Sequence, residues 1–202
     1  MNIGVLGGTF DPIHNGHLAI AKFSLEAVNL HYVLIMPAGH PWLKSQKPVA
    51  SVEHRVQMVR LAISGNKALE LSTIEAERSG ITYAVETMAQ LHEKLTLGDE
   101  IFFIMGEDAL AGIPLWKDPG QLLRLCKLAV FTRHGADVPD MKYISRAVPG
   151  IEKRIVFVRI EPILISSTLI RENVMNSASI HGLVPDSVEA YIRKHKLYTA
   201  EA

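Results

Sequence analysis

Six short apolar runs, each followed by a turn or a stretch of helical spacing, constrain this chain more than any other feature. The first is the most informative. Ile3, Val5 and Leu6 read as a buried strand that ends at Gly7-Gly8. Two glycines allow positive φ and let backbone N–H groups approach a ligand closely. After the Asp11-Pro12 turn, an amphipathic pattern runs from about Asn15 to Val28, with Leu18, Ala21, Leu25 and Val28 on one face. Strand, glycine turn and helix N-terminus in that order make a site for phosphate, because free N–H groups and the positive end of the helix face the same anion.

The other runs are Tyr32–Met36, Leu69–Ile74, Ile101–Met105, Leu128–Thr132 and Ile155–Ile160. Helices are predicted from Ser51 as N-cap, with Val52, Val56, Val59 and Ile63 at helical spacing, and again along Ala84, Met88, Leu91 and Leu95. Asp118-Pro119, Ser166-Ser167-Thr168 and Pro185-Asp186-Ser187 start three more. This alternation predicts an α/β fold: a Rossmann-like, doubly wound, mainly parallel sheet with helices on both faces. The 202 residues fit one domain, with a C-terminal helical part from about residue 166 packed on it.

Lys+Arg and Asp+Glu are both 21, so no basic excess points to nucleic acid or a membrane surface. The single cysteine, Cys126, sits in an apolar run and reads as a small core residue. No run approaches the ~20 apolar residues of a membrane span, and the chain opens on a strand rather than a signal region. A cytoplasmic protein is expected. A homo-oligomer is left open.

In such sheets ligands bind at the carboxyl ends of strands. The chemically expressive residues fall there. His14 and His17, three apart at the entrance of the first helix, point to one side; each can donate a hydrogen bond and take up a proton as an anion arrives. Ser167 and Thr168 present hydroxyls at a late helix start, with Arg171 on the same side offering a planar fork to phosphate oxygens. Both motifs serve one site only if Arg171 comes within reach of His14 and His17, roughly 15 Å for an extended nucleotide tail. No Ser-His-Asp or Cys-His logic is present, so covalent catalysis is not indicated.

The string Gly7–His17 (Gly-Gly-Thr-Phe-Asp-Pro-Ile-His-Asn-Gly-His) resembles the signature of nucleotidyltransferases with an N-terminal His-x-x-His element, and among them the nicotinate-mononucleotide adenylyltransferases. Ile165-Ser-Ser-Thr-Leu-Ile-Arg171 resembles their late Ile-Ser-x-Thr-x-x-Arg element. The resemblance spans nearly the whole chain, including the ending Val184–Tyr198. It implies adenylyl transfer from ATP to nicotinate mononucleotide, giving deamido-NAD and pyrophosphate by direct in-line attack. His14, His17, Lys44 and Arg171 are the implied catalytic residues. ATP is assigned to Gly7, Gly8, Thr9, Phe10, His17, Gly106, Asp108, Arg133, Ile165, Ser167, Thr168 and Arg171. The mononucleotide is assigned to Thr9, His14, Lys44, Thr82, Tyr83, Ala84, Trp116 and Lys117. Mg²⁺ is implied, carried by ATP rather than by a protein cage.

Several assignments carry a plainer alternative. Lys44 could be a solvated lysine, Asp108 a helix N-cap rather than a ribose ligand, and Trp116 a packing residue rather than a platform for the pyridine. Ala84 stands where such enzymes usually have threonine, and Lys117 where many have tyrosine, so acid and amide acceptors are least separable here. Lys117 could supply a charge that favours the acid. The alternatives in function are a sister enzyme using nicotinamide mononucleotide or phosphopantetheine, and a nucleotide-binding module without turnover.

Overall fold

The computed structural model describes residues 1–41, 50–133, 139–161 and 163–199, with the backbone alone described at 40, 41 and 133. The chain opens with β1 (Asn2–Gly8), α1 (Asn15–Ala27) and β2 (Tyr32–Pro37), then a two-residue strand β3 (His40–Pro41). Next come α2 (Val52–Ile63), β4 (Leu69–Leu71), a second short strand β5 (Ile81–Thr82) and α3 (Ala84–His92). The second half runs β6 (Glu100–Gly106), α4 (Glu107–Ala111), α5 (Pro119–Leu125), β7 (Lys127–Arg133), α6 (Met141–Ala147), β8 (Ile155–Ile160), α7 (Ser167–Met175) and α8 (Asp186–Lys194).

Six strands form one parallel sheet in the order β4-β2-β1-β6-β7-β8. The chain winds outward from β1 through β2 to β4, returns to the centre and winds outward again from β6 to β8. The direction therefore reverses between β1 and β6, where Leu6 lies opposite Ile104. A crevice at the carboxyl ends of these two strands is the expected ligand site of such a sheet.

Side chains alternate across β1, and the core splits accordingly. Leu6 joins a cluster with Leu18 and Ala21 of α1, Met58 and Val59 of α2, Ile170 of α7, and Val188 and Ile192 of α8. Val5 points the other way, into a cluster with Val85 and Met88 of α3, Leu110 of α4, Leu122 of α5 and Ile144 of α6. Helices cover both faces, as expected. Cys126 is buried in the second cluster, and burial pushes its thiol up to about 12.

Three details differ from the sequence reading. The run Leu69–Ile74 forms a strand only to Leu71, and the chain then turns. Helix α2 buries Arg55, Met58, Val59 and Ile63, while Val52 and Val56 are half-buried, so its inward face is rotated towards the arginine. The short β3-β5 pair, with Pro41 opposite Thr82, has no hydrophobic period of its own and went unread.

Candidate active site

The carboxyl ends of β1, β2 and β6 open into a cavity of about 420 Å³. Gly7, Gly8 and Thr9 line it from the first strand, and Met36 and Ala38 from the second. Phe103 to Gly106 line it from β6, His17 and Ile20 from α1, and Glu75, Thr82, Ala84 and Trp116 close the far end.

The glycine turn works differently from its sequence rationale. Neither Gly7 nor Gly8 has positive φ; the left-handed residue is Phe10, at φ 50°. Its ring folds back under Gly8, where an added Cβ would come within 2.9 Å of the ring. Gly8 is thus required by close approach. Phe10 itself is buried in the core, so its ring supports the turn from beneath rather than facing the cavity.

His14 is the N-cap of α1, and its side chain closes a reciprocal capping box with His17. His14 Nδ1 accepts the His17 backbone N–H at 3.3 Å, and His17 Nδ1 accepts the His14 backbone N–H at 3.3 Å. The rings stack with centroids 3.6 Å apart, and His17 meets the edge of Phe10 at 4.9 Å. Gly16 permits this, since a Cβ there would lie 3.0 Å from His14 Nδ1. A nitrogen that accepts a hydrogen bond carries no proton, so the neutral tautomer of each ring holds its proton on Nε2. Burial also pushes the His14 imidazole down from 6.5 to about 4. Before an anion arrives, His14 is therefore a neutral Nε2–H donor, because charging it would place a cation in a buried site.

Helix α7 is stapled to this motif. Ser166 caps it. Ser167 Oγ donates to the Pro12 carbonyl at 2.9 Å. Arg171 Nη1 donates to the Asp11 carbonyl at 2.7 Å, and Nη2 meets Thr168 Oγ1 at 3.3 Å. The late guanidinium therefore touches the loop three residues before His14, and the requirement that both motifs meet is satisfied. Ile165 is half-buried against the core below. Among the described residues the cavity walls do not include His14, Asp108, Ser167, Thr168 or Arg171.

Gly106 both lines the cavity and caps α4, so Asp108 is not the N-cap of that helix. Trp116 stands edge-to-face with Phe103, centroids 5.9 Å apart, with its indole in the cavity wall. Tyr83 is the N-cap of α3 and supplies no side-chain cap. Lys117 Nζ lies 2.6 Å from Glu86 Oε1 and 4.3 Å above the Tyr83 ring, so its charge is already paired. Lys44 lies outside the described residues, and Arg133 ends β7.

Four residues that shape the site escaped the sequence reading. Arg55 is buried, and its Nη1 donates to the carbonyls of Thr9 and Ala38 at 2.7 Å each, with Nη2 3.4 Å from that of Gly39. It ties the turn after β1 to the segment after β2. Its signal was a charged residue at helical spacing from Met58 and Val59. Asp11 is buried, with Oδ1 accepting from the Ala50 N–H at 3.2 Å and from the Tyr198 hydroxyl at 2.7 Å. Burial and the adjacent Asp11 carboxylate push the Tyr198 hydroxyl well above its ordinary value, which keeps it a neutral donor. Glu75, the fourth, is a carboxylate in the cavity wall.

Among the described residues, the group able to hold a metal ion is His181, Asp186 and Glu189, near the start of α8 and outside the cavity walls. Among the described residues, the cavity walls carry one carboxylate, Glu75. No helix of the described residues is long and apolar enough to cross a membrane.

The cytidylyltransferase-like family matches residues 5–173. A probable nicotinate-nucleotide adenylyltransferase from a Roseiflexus species is 41% identical over 196 residues, covering 97% of both chains. One from Dehalococcoides mccartyi is 36% identical over 198 residues, covering 98% of this chain and 97% of that one. The fold is shared with the Plasmodium falciparum nicotinic acid mononucleotide adenylyltransferase complexed with NaAD, at TM-score 0.74 and 18% identity over 98% and 97% of the two chains. Nucleotidyltransferases of this kind generally use a divalent metal. With such identity sustained from end to end, this chain belongs to the cytidylyltransferase-like family and, within it, to the nicotinate-nucleotide adenylyltransferases.

Proposed function

We propose that the protein transfers AMP from ATP to nicotinate mononucleotide, forming deamido-NAD for NAD biosynthesis. An oxygen of the mononucleotide phosphate attacks the α-phosphorus of ATP; the bond from that phosphorus to the bridging oxygen breaks, and pyrophosphate leaves with the electron pair. The attacking phosphate is already ionised, so no general base is needed. The protein's task is to bring two anions together, align them and stabilise charge on the leaving group.

The observation that carries this reading is the staple between α7 and the loop before α1. It gathers the Nε2–H donors of His14 and His17, the hydroxyls of Ser167 and Thr168 and the Arg171 guanidinium around the end of β1. In the proposed assignment these groups and Lys44 grip the triphosphate, with Gly7, Gly8 and Thr9 presenting backbone donors. Asp108, Gly106 and Arg133 serve the nucleoside. Trp116 stacks on the pyridine ring, and the Thr82–Ala84 turn at the N-terminus of α3 receives the nicotinate carboxylate. The divalent metal is Mg²⁺, which when bound to ATP neutralises phosphate charge. We infer one catalytic domain over residues 1–202, acting in the cytoplasm on small molecules; a homo-oligomer would register by sedimentation.

Pyrophosphate release is measured with ATP and each of nicotinate mononucleotide, nicotinamide mononucleotide and phosphopantetheine. Fastest turnover with the nicotinate form is expected. Preference for either other acceptor would reassign the chain to a sister enzyme, and no release with any would make it a binding module. The acid–amide choice is tested separately with Lys117→Ala. Loss of acid preference would give Lys117 the selecting charge, whereas an unchanged preference would leave it to its pair with Glu86.

A further inference from the structure

Glu75 is the cavity-wall carboxylate that the proposed transfer leaves without a task. It sits where three segments meet. Thr87 of α3 donates from Oγ1 to Glu75 Oε1 at 2.9 Å. Thr82 of β5 bonds the same carboxylate through its side chain. The segment after β2 packs directly on the Glu75 backbone, since a Cβ on Gly39 would lie 2.2 Å from its carbonyl oxygen. Arg78 completes the arrangement, with Nη1 3.2 Å from Thr87 Oγ1 and Nη2 2.6 Å from Gln90 Oε1. Hydrogen bonds thus run one way, from Arg78 to Thr87 to Glu75, so each hydroxyl has a fixed orientation.

The N-terminus of α3 needs such a device. Tyr83 gives it no side-chain cap, and β5 is two residues long. Pairing with β3 and the packing of Val85 and Met88 seat this stretch, and the Glu75 carboxylate joins it to the cavity wall. Thr82 and Thr87 are both buried, so their polar atoms require partners, and the carboxylate serves both.

We propose that Glu75 is the positioning residue of the acceptor end, holding β5 and the first turn of α3 so that the N–H groups of Thr82–Ala84 meet the mononucleotide. It acts through Thr82 and Thr87 rather than on the reacting phosphorus. This rests on the transfer to nicotinate mononucleotide proposed above.

The test uses the whole enzyme and three variants: Glu75→Ala, Glu75→Gln and Thr87→Val, the last at a residue outside the cavity walls. The dissociation constant of nicotinate mononucleotide is measured by calorimetry, and KM for both substrates by pyrophosphate release. Glu75→Ala should raise the mononucleotide Kd and KM about tenfold while the KM for ATP stays within about twofold, with Thr87→Val giving about a threefold rise. Glu75→Gln keeps an acceptor oxygen and should recover most of the loss. An unchanged mononucleotide Kd, or an equal rise in both KM values, would overturn the assignment. Should Glu75→Ala fail to fold, Glu75→Gln and Thr87→Val decide the question through the same ratio. A parent enzyme that binds the mononucleotide without turnover would overturn the proposed function, while the variants' Kd values still decide the role of Glu75. A parent that does neither overturns both.

Discussion

Tyr198→Phe removes one oxygen and leaves a ring of nearly the same shape in a buried site. That oxygen donates to Asp11 Oδ1 at 2.7 Å, and Asp11 is only 4% exposed, so water does not readily replace the lost donor. Hydrogen bonds to charged groups contribute about 1.5–3 kcal/mol. The Ala50 N–H still reaches the same carboxylate at 3.2 Å, which favours the lower half of that range, about 2 kcal/mol. For a chain of this length that corresponds to a fall in Tm of roughly 4–8 °C. Equilibrium urea unfolding of parent and variant at about pH 7 reads the difference directly. The Asp11 carbonyl also receives Arg171, so the variant should lose affinity for ATP more than for the mononucleotide. A free energy of unfolding within about 0.5 kcal/mol of the parent would refute the claim that this contact anchors the tail.

Other outcomes follow from the same geometry. His17→Ala should cut kcat by about 10² or more, read by pyrophosphate release, and cost about 1 kcal/mol of stability because it opens half of the capping box; equal turnover would remove His17 from the catalytic set. His14, held at about 4 in the folded state against 6.5 for the free group, binds fewer protons than in the unfolded chain between those values. Stability from this source is therefore complete above about pH 6.5 and lost as pH falls towards 4, by about 3 kcal/mol at most. His14→Asn keeps a capping side chain and should flatten the pH dependence of unfolding over that window. Gly16→Ala places a Cβ 3.0 Å from His14 Nδ1 and from Ile163 Cγ2. Crowding opposes a gain of about 1 kcal/mol in helix propensity, so Tm should change little while kcat falls about tenfold as the ring pair shifts.

Much of this was legible because it rests on local rules. The Asp118-Pro119 helix start, the Ser51 and Ser166 caps and the strands Ile101–Met105 and Ile155–Ile160 are written in residues a few positions apart. So are the two motifs at the cavity rim. What stayed hidden depends on contacts between distant segments. The clamp by Arg55 needs the carbonyls of Thr9, Ala38 and Gly39 brought together, and no local pattern encodes that meeting. The tautomers of His14 and His17 follow from reciprocal backbone bonds, which spacing suggests and only geometry fixes. Gly8 was read as a site of positive φ, whereas it serves as clearance for the Phe10 ring. The pairing of Lys117 with Glu86 joins residues 31 apart, so the lysine's charge looked available when read along the chain.

The staple between α7 and the opening loop has a consequence for biosynthesis. Ser167 and Arg171 bind carbonyls 155 and 160 positions upstream, and Tyr198 reaches a carboxylate 187 positions back. A ribosome makes the loop before α1 well before its fasteners in α7 and at Tyr198. The growing chain can lay down its central sheet early, yet this loop is fastened only after α7 and Tyr198 have emerged and docked. A fragment interrupted before α7 would keep most of its central sheet and lack the fasteners of this loop.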